Sequence, residues 1–222
     1  MTTIKNIESF VYRYPLSKPV ITSFGVMDNR PMLILKITDN NGMYGWGEVW
    51  CNFPLTGAEH RAKLIDNVFK PLLANFNIIT PEKTYEYLVS KTKILSIQSG
   101  EPGPIAQCIA GIDIAIHDLI GKVENISLWK KFGGNKNIIP CYASGINPTK
   151  PELTVKDAIK KGYSSFKLKI GFGIKKDLGN IKEIKNILPE KSSLMVDANQ
   201  AWNLHEAIEA VSYTHLTLPT TT

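Results

Sequence analysis

The chain has 222 residues, of which 43% are hydrophobic and 21% charged, a balance typical of a folded globular protein rather than a disordered or fibrous one. Its formal net charge of +6 does not predict nucleic-acid binding, because the basic residues are not interleaved with aromatic residues as they are in single-strand binders. Three cysteines without paired spacing, no signal-peptide pattern and no apolar run of about 20 residues predict a cytoplasmic protein without a membrane partner.

The amino-terminal part of the chain is predicted to be an antiparallel meander. Its three strands are predicted over residues 4–14, 31–38 and 43–50. Pro15 should end the first strand, and an unusually apolar loop should follow over residues 18–25. Residues 39–42 are predicted to form a hairpin turn, because Asn-Gly accommodates positive φ.

Helices are predicted after the meander, from apolar residues that recur at three- and four-residue intervals. They are expected over residues 58–73, 81–93, 104–122 and 127–132. The third is the most apolar, and small residues such as Ala110, Gly111 and Ala115 would allow close packing, so it should be buried. Strands followed by helices predict an α+β domain over residues 1–136.

From residue 137 onwards strands alternate with helices, which predicts a parallel sheet or barrel. The strands are expected over residues 138–145, 165–170 and 194–199, and the helices over residues 150–162, 174–189 and 204–211. The threonine-rich residues 212–222 abandon the helical pattern, and we interpret them as a non-native tail.

Two of these strands end in polar pairs, Lys167 with Lys169 and Asp197 with Asn199. Side chains two apart on a strand share a face, and the carboxyl ends of successive parallel strands are where barrel enzymes carry their active sites. Taken alone, the lysines also fit a solvent-facing edge strand and Asp-x-Asn also fits a helix cap. Both pairs at neighbouring strand ends favour a functional site.

Over residues 4–211 the chain resembles the enolase superfamily, in its mandelate racemase and muconate lactonising enzyme branch. The resemblance rests on five motifs that have the same order and spacing as in that family. These motifs are Gly45-Trp46-Gly47-Glu48, Ala110-Gly111-Ile112-Asp113-Ile114-Ala115, Gly133-Gly134, Lys167-x-Lys169 and Asp197-x-Asn199. The segment from Lys169 to Leu178 is particularly similar to members that act on acid sugars, such as dehydratases and cycloisomerases.

The resemblance implies a capping α+β domain over residues 1–136 and a TIM-like (β/α) barrel that begins at residue 137. A whole barrel takes about 250 residues, so residues 137–211 would supply only its first three strands. The resemblance therefore implies a C-terminally truncated piece of a longer, homo-oligomeric enzyme. We expect the piece alone to be inactive, to bind metal poorly and to aggregate through its open strand edge.

The resemblance also implies an activity, which is Mg²⁺-dependent removal of the proton α to a carboxylate through an enediolate. The outcome would be racemisation or epimerisation, dehydration or cycloisomerisation, on a substrate such as an acid sugar or hydroxy acid. Lys169 would be the general base, Lys167 its neighbour that also meets the substrate carboxylate, Asp197 a Mg²⁺ ligand and Asn199 a hydrogen-bonding group near the substrate. Further candidates for substrate contact are Ile21, Phe24, Trp50, Phe53 and Tyr142.

Physical chemistry agrees with these roles. The α-proton is very weakly acidic, so its removal requires cations that neutralise the charge developing on the carboxylate. A lysine base must be neutral when it acts, and a second ammonium nearby favours that form. A hard oxygen ligand such as Asp197 suits Mg²⁺.

Two alternatives from other classes stay open. Lys169 could be a Schiff-base nucleophile, as in aldolases, which borohydride trapping would reveal. The same fold could also be a non-catalytic binding module, in which apolar residues would replace the remaining metal carboxylates.

Overall fold

In the computed structural model, which describes residues 2–22 and 25–217, a four-stranded sheet opens the chain. Its strands are β1 (Thr2–Thr22), β2 (Gly25–Asp39), β3 (Tyr44–Val49) and β4 (Asn77–Ile78). They lie in the order β3-β2-β1-β4, and β2 and β3 pair antiparallel from Leu33 opposite Val49 to Thr38 opposite Tyr44. The predicted meander is therefore present, with one short strand added to it.

The turn between β2 and β3 confirms the hairpin predicted at residues 39–42. The Asp39 carboxylate accepts hydrogen bonds from the N–H groups of Asn41 at 2.9 Å and Met43 at 2.8 Å. Gly42 has a φ of +83°, a conformation in which glycine carries no steric penalty. The turn is thus fixed by local chemistry.

The first strand is longer than predicted, because β1 continues through Pro15. Most of the loop expected over residues 18–25 is strand, and residues 23–24 lie outside the described part of the chain. Strand β4 pairs only with the first two residues of β1, so the rest of β1 has an open edge within the described structure. A proline is tolerated in a strand where its missing N–H faces such an edge.

Five helices follow in the next part of the chain. They are α1 (Gly57–Leu64), α2 (Lys70–Leu72), α3 (Pro81–Ser99), α4 (Pro102–Val123) and α5 (Leu128–Lys131). A π-helical turn, Ile65–Phe69, interrupts the single helix predicted over residues 58–73. Pro71 follows this turn, and a proline cannot make the regular α-helical hydrogen bond to the residue four positions earlier.

Helix α4 packs with its backbone against β3, as its small residues predicted. A Cβ on Gly45 would lie 2.1 Å from the Ala115 carbonyl oxygen, and a Cβ on Gly47 would lie 2.0 Å from the Gly111 carbonyl oxygen. A Cβ on Gly111 would lie 2.4 Å from Val49 Cγ2. We call Gly45, Gly47 and Gly111 the glycine seam, since a side chain at any of them would separate the strand from the helix.

By length and composition α4 is also long and apolar enough to cross a membrane. Its apolar residues have a different explanation here, because one face of the helix belongs to the core. The buried residues of that face include Ile105, Cys108, Ile109, Ile112, Ala115, Ile116 and Leu119. Packing against the sheet accounts for the composition of this helix.

A parallel three-stranded sheet forms the carboxyl-terminal part. Its elements are β5 (Ala143–Ile146), α6 (Pro151–Lys160), β6 (Ser165–Lys169), α7 (Ile174–Lys185), β7 (Ser193–Asp197) and α8 (Leu204–Thr217). The strand order β5-β6-β7 and the parallel pairing follow the alternation in the sequence. A separate core forms between this sheet and its helices, and it includes Ile146, Val155, Phe166, Leu168, Ile170, Ile181 and Ile184.

Several boundaries in this part were predicted wrongly. The strand expected over residues 194–199 ends at Asp197, which leaves Asn199 in the following loop, and the helix expected over residues 174–189 ends at Lys185. The strand expected from residue 138 begins at Ala143, and the two isoleucines before it are about four-fifths exposed, at 79% and 82%. Pro140 lies between them and the strand, and it has no N–H to donate to a sheet. The last helix does not stop at Val211 but runs to Thr217, while the interpretation of residues 212–222 as non-native stays a prediction.

The chain divides into two units. The first unit comprises Met1–Ser17 and Asp28–Lys136, and the second unit comprises Lys18–Met27 and Asn137–Thr222. The first unit holds the larger core, which surrounds α4, and the second holds the core of the parallel sheet.

Candidate functional site

The parallel pairing of β6 and β7 brings the two predicted polar pairs to one place. Lys169 lies directly opposite Asp197 in the register, and the backbone N–H of Ile170 donates to the Asp197 carbonyl oxygen at 3.0 Å. Phe166 and Leu168 alternate with the lysines and are fully buried, so the lysines project from the opposite face of the strand. Alternation in the sequence therefore decides which side chains reach the strand end.

Four polar side chains meet there, and we call Lys167, Lys169, Asp197 and Asn199 the strand-end cluster. The Lys169 ammonium donates to Asp197 Oδ2 at 2.7 Å and also to Asn199 Oδ1. Lys167 Nζ lies 3.2 Å from the same Asp197 oxygen. Two ammonium groups around one carboxylate leave one net positive charge, which would attract an anionic substrate.

The backbone after β7 places Asn199 for this contact. Its N–H donates to Asp197 Oδ1 at 2.9 Å, so the Asp197 side chain closes a tight turn on itself. Asn199 and Gln200 both have positive φ, at 49° and 62°. Asparagine tolerates this left-handed conformation better than most residues, which explains why the sequence reads Asp-x-Asn at this point.

The charges of the cluster shift its pKa values. The Lys169 ammonium lowers the pKa of Asp197 to about 2, with further lowering from the Asn199 N–H and from Lys167, against the opposing effect of burial. A hydrogen bond to Tyr142, and after it one to Asp197, raises the pKa of Lys167. At neutral pH the Asp197 carboxylate is thus ionised and Lys167 keeps its proton.

Tyr142 is the predicted substrate contact that lies next to the cluster. It comes just before β5, and Lys167 Nζ lies 5.1 Å from the centre of its ring. The ring is 42% exposed, so one side of it is open to an incoming molecule. The contact with Lys167 supports a place for Tyr142 at the rim of the site.

The described structure does not test the other four predicted substrate contacts. Trp50 and Phe53 lie in the first unit, in the segment after β3, where Trp50 is about half exposed and Phe53 is partly buried. Phe24 lies outside the described residues, and so does the side chain of Ile21. Their contacts with a substrate stay a prediction.

Two arginines that support the segment after β3 were missed from the sequence. Arg61 is 4% exposed and donates to the Phe53 carbonyl oxygen at 3.3 Å, while Arg13 donates to the Leu55 carbonyl oxygen at 2.9 Å. Arg61 stands among the apolar positions of α1, which is a signal that could have revealed it. Nothing local marks Arg13, because its partners Glu59 and Leu55 lie more than forty residues away in sequence.

The cluster fits a Mg²⁺ site only in part. Asp197 is a carboxylate ligand of the kind that Mg²⁺ prefers. The described residues contain no group of three or more His, Cys, Asp and Glu side chains that could together hold a metal ion. Among the described residues Asp197 is thus one candidate ligand for such a site, and its carboxylate is also bound by two ammonium groups.

Both parts of the chain match models of known protein families. Residues 6–133 match the family model described as the mandelate racemase / muconate lactonizing enzyme N-terminal domain. Residues 152–216 match the one described as enolase C-terminal domain-like. These matches cover more than half of the chain and agree with the resemblance seen in the five sequence motifs.

Two characterised relatives show the range of activities among similar proteins. N-succinyl-L-Arg/Lys racemase of Bacillus cereus is 27% identical over 204 residues, which cover 90% of this chain and 53% of the relative. The 3,6-anhydro-alpha-L-galactonate cycloisomerase of Streptomyces coelicolor is 27% identical over 213 residues, which cover 93% of this chain and 57% of the relative. The chain therefore spans about half the length of the curated relatives it matches.

Solved structures confirm the predicted fold. A mandelate racemase/muconate lactonizing enzyme from Bordetella bronchiseptica is 41% identical with a TM-score of 0.85, and the match covers 95% of this chain and 55% of that one. A racemase from Streptomyces coelicolor with bound magnesium is 26% identical with a TM-score of 0.84, over 96% of this chain and 60% of that one. The α+β part followed by a parallel sheet is thus a capping domain followed by an incomplete (β/α) barrel.

Proposed function

The chain belongs to the mandelate racemase and muconate lactonizing enzyme family of the enolase superfamily, and on that premise we propose that it is part of an enzyme that removes the proton α to a carboxylate. One observation carries the proposal. Lys169 lies 2.7 Å from Asp197 and bonds Asn199 at the ends of adjacent parallel strands. The racemase and cycloisomerase activities named for the relatives support this class of reaction.

In this proposal Lys169 is the general base. The oxygens of Asp197 and Asn199 fix the position of its nitrogen, which is what a base needs in order to meet the α-proton at one point. Lys167 retains its own proton, because its pKa is raised, and its charge attracts the substrate carboxylate. A positioned base of this kind contributes about 10²- to 10⁴-fold to the rate.

Asp197 would be one ligand of a Mg²⁺ ion, a role supported by the magnesium in the related racemase structure. When bound, the ion supplies positive charge that stabilises the negative charge developing on the substrate carboxylate. Asn199 would then orient the base and the substrate by hydrogen bonding.

We propose a small carboxylate as the substrate, an acid sugar or a hydroxy acid, in a cytoplasmic enzyme. The acid-sugar cycloisomerase among the relatives supports this class. Tyr142 would contact the substrate beside Lys167, and Trp50, Phe53, Ile21 and Phe24 would select it. Subsequent steps of racemisation, dehydration or cycloisomerisation would depend on groups beyond the strand-end cluster.

We also propose that the 222-residue chain is inactive by itself and associates through β7. Within the described part of the chain β7 pairs only with β6, so the outer edge of β7 exposes backbone groups that can bind another strand. Turnover by the purified chain alone would contradict this.

The test uses a longer protein in which residues 1–211 are followed by the rest of the reading frame. Acid sugars, hydroxy acids and N-acyl amino acids are incubated in D₂O, and exchange of the α-proton is followed by proton NMR. Lys169→Met should reduce exchange by about 10²- to 10⁴-fold. Lys161→Met is the matched control, because Lys161 is exposed and its ammonium pairs with Asp157, four residues earlier in the chain.

Three outcomes would contradict the proposal. Exchange that survives Lys169→Met would remove Lys169 as the base. A substrate trapped on Lys169 by borohydride would identify the Schiff-base alternative. Absence of exchange with every carboxylate, in a folded full-length protein, would favour the non-catalytic module.

A further inference from the structure

Asp177 is a buried carboxylate close to the strand-end cluster in sequence, and the proposed reaction does not use it. It lies in the first turn of α7 and is 1% exposed. Its Oδ2 accepts the N–H of Gly171 at 2.9 Å, and both of its oxygens lie 3.3 Å from the Phe172 nitrogen as acceptors. Burial raises its pKa, and the two N–H groups act against that rise. Since a buried carboxylate is costly unless it is hydrogen-bonded, these contacts account for its position.

The turn that Asp177 binds is the one that follows Lys169. Gly171 and Gly173 have φ values of +94° and +101°, so the chain reverses sharply between β6 and α7. Such a turn leaves backbone N–H groups without partners in a sheet or helix, and two of these donate to Asp177. The shape of the turn therefore depends on the carboxylate.

The same turn packs against the loop that carries Asn199. A Cβ on Gly171 would lie 2.7 Å from the Cβ of Ala201 and 3.2 Å from the Ala198 carbonyl oxygen. The two loops thus touch with no space for a side chain between them. Any movement of the turn after Lys169 changes its distance from the loop that presents Asn199.

We propose that Asp177 is a positioning residue for Lys169. By tying the Gly171 and Phe172 N–H groups to α7, its carboxylate holds the turn against the loop of residues 198–201 and keeps the Lys169 ammonium on Asp197 and Asn199. The role of Lys169 as a base rests on the proposed function. The geometry around Asp177 rests on this structure alone.

Two substitutions on α7 separate positioning from general stability. Asp177→Asn keeps the shape of the side chain and one acceptor oxygen, while Asp177→Ala removes both acceptors. Asn180→Ala is the matched control, because Asn180 is also buried on α7 but donates to the Pro148 carbonyl oxygen at 3.0 Å, in the loop after β5. It should destabilise the helix without reaching Lys169.

The measurement is brief acetylation of the folded longer protein that is used for α-proton exchange, with the modification of each lysine quantified by mass spectrometry. The rate at Lys169 is divided by the rate at Lys161, which is exposed and directly follows α6. Loss of hydrogen bonds from the turn should raise this ratio about fivefold or more in Asp177→Ala and about threefold in Asp177→Asn. Hydrogen exchange at the Gly171 and Phe172 amides should accelerate in the same order.

An unchanged ratio in the folded Asp177 variants would overturn the proposal. An equal rise in Asn180→Ala would overturn it too, because general loosening of α7 would then explain the effect. If Asp177→Ala does not fold, the comparison of Asp177→Asn with Asn180→Ala decides. Labelling does not require catalysis. It can therefore contradict the role of Asp177 while α-proton exchange in the full-length protein still depends on Lys169. Equally, it can support the role of Asp177 if that exchange does not depend on Lys169.

Discussion

The glycine seam and the strand-end cluster are both built from short motifs, yet they work in opposite ways. In the seam, side chains are missing so that the backbones of β3 and α4 can touch, with a Cβ on Gly47 only 2.0 Å from the Gly111 carbonyl oxygen. In the cluster, long polar side chains project from a buried strand and remain about a quarter exposed, with Lys167 at 22% and Lys169 at 23%. The first motif determines packing and the second determines chemistry. Substitutions should therefore act on stability in the first and on function in the second.

The largest loss of stability is expected from Gly47→Ala in the glycine seam. The new methyl group would overlap backbone atoms of α4, which cannot rotate away, so the free energy of unfolding should fall by about 4 kcal/mol or more. Urea unfolding followed by circular dichroism measures it. The matched control is Gly103→Ala, since a Cβ there meets nothing within 4 Å and alanine favours the helix. A cost below about 1 kcal/mol for Gly47→Ala would show that the two backbones can separate.

A smaller loss of stability is expected from Phe166→Ala, on the buried face of the strand that carries Lys167 and Lys169. Phe166 is fully buried in the core of the second unit, and its removal should cost about 3 kcal/mol. Hydrogen exchange by mass spectrometry should show lost protection in β5, β6 and β7 and unchanged protection in α4, because the two cores are separate. Leu153→Ala, at a half-exposed position of α6, is the control. Equal loss of protection in α4 would contradict the separation.

The smallest effect on stability is expected within the cluster, from Asp197→Asn. The folded pKa of about 2 lies below the unfolded value of about 3.9, so the ionised carboxylate stabilises the fold above pH 4. That contribution disappears as the pH falls towards 2. Because Asp197 is 30% exposed, we expect a loss of only about 1 kcal/mol at pH 7.

Urea unfolding at pH 7 and at pH 2.5 tests this pH dependence of the stabilisation by Asp197. The wild-type protein and Asp197→Asn should differ at pH 7, and the difference should shrink to about a third of that value at pH 2.5. Asp157→Asn removes an exposed ion pair with Lys161 and should not reproduce the pH dependence. A difference that is the same at both pH values would mean that the charge of Asp197 is not what stabilises the cluster.

Much of the fold could be predicted because its signals are local. The hairpin at Asp39 and Gly42 depends on hydrogen bonds and a backbone angle within five residues. The burial of α4 follows from its own composition. One boundary failed where the surrounding structure decided it, at Pro15, which β1 accommodates in a strand with an open edge.

The sequence by itself determined that Lys167 and Lys169 share one face of a strand, because a strand repeats every two residues whatever surrounds it. Only the tertiary structure decided that Lys169 stands 2.7 Å from Asp197, that Tyr142 lies beside Lys167, and that Asp177 folds back onto the turn after β6. The physical reason is that alternation is a property of each strand alone. The register between strands, and the partner of a buried charge, are set by the packing of segments that are distant in the chain.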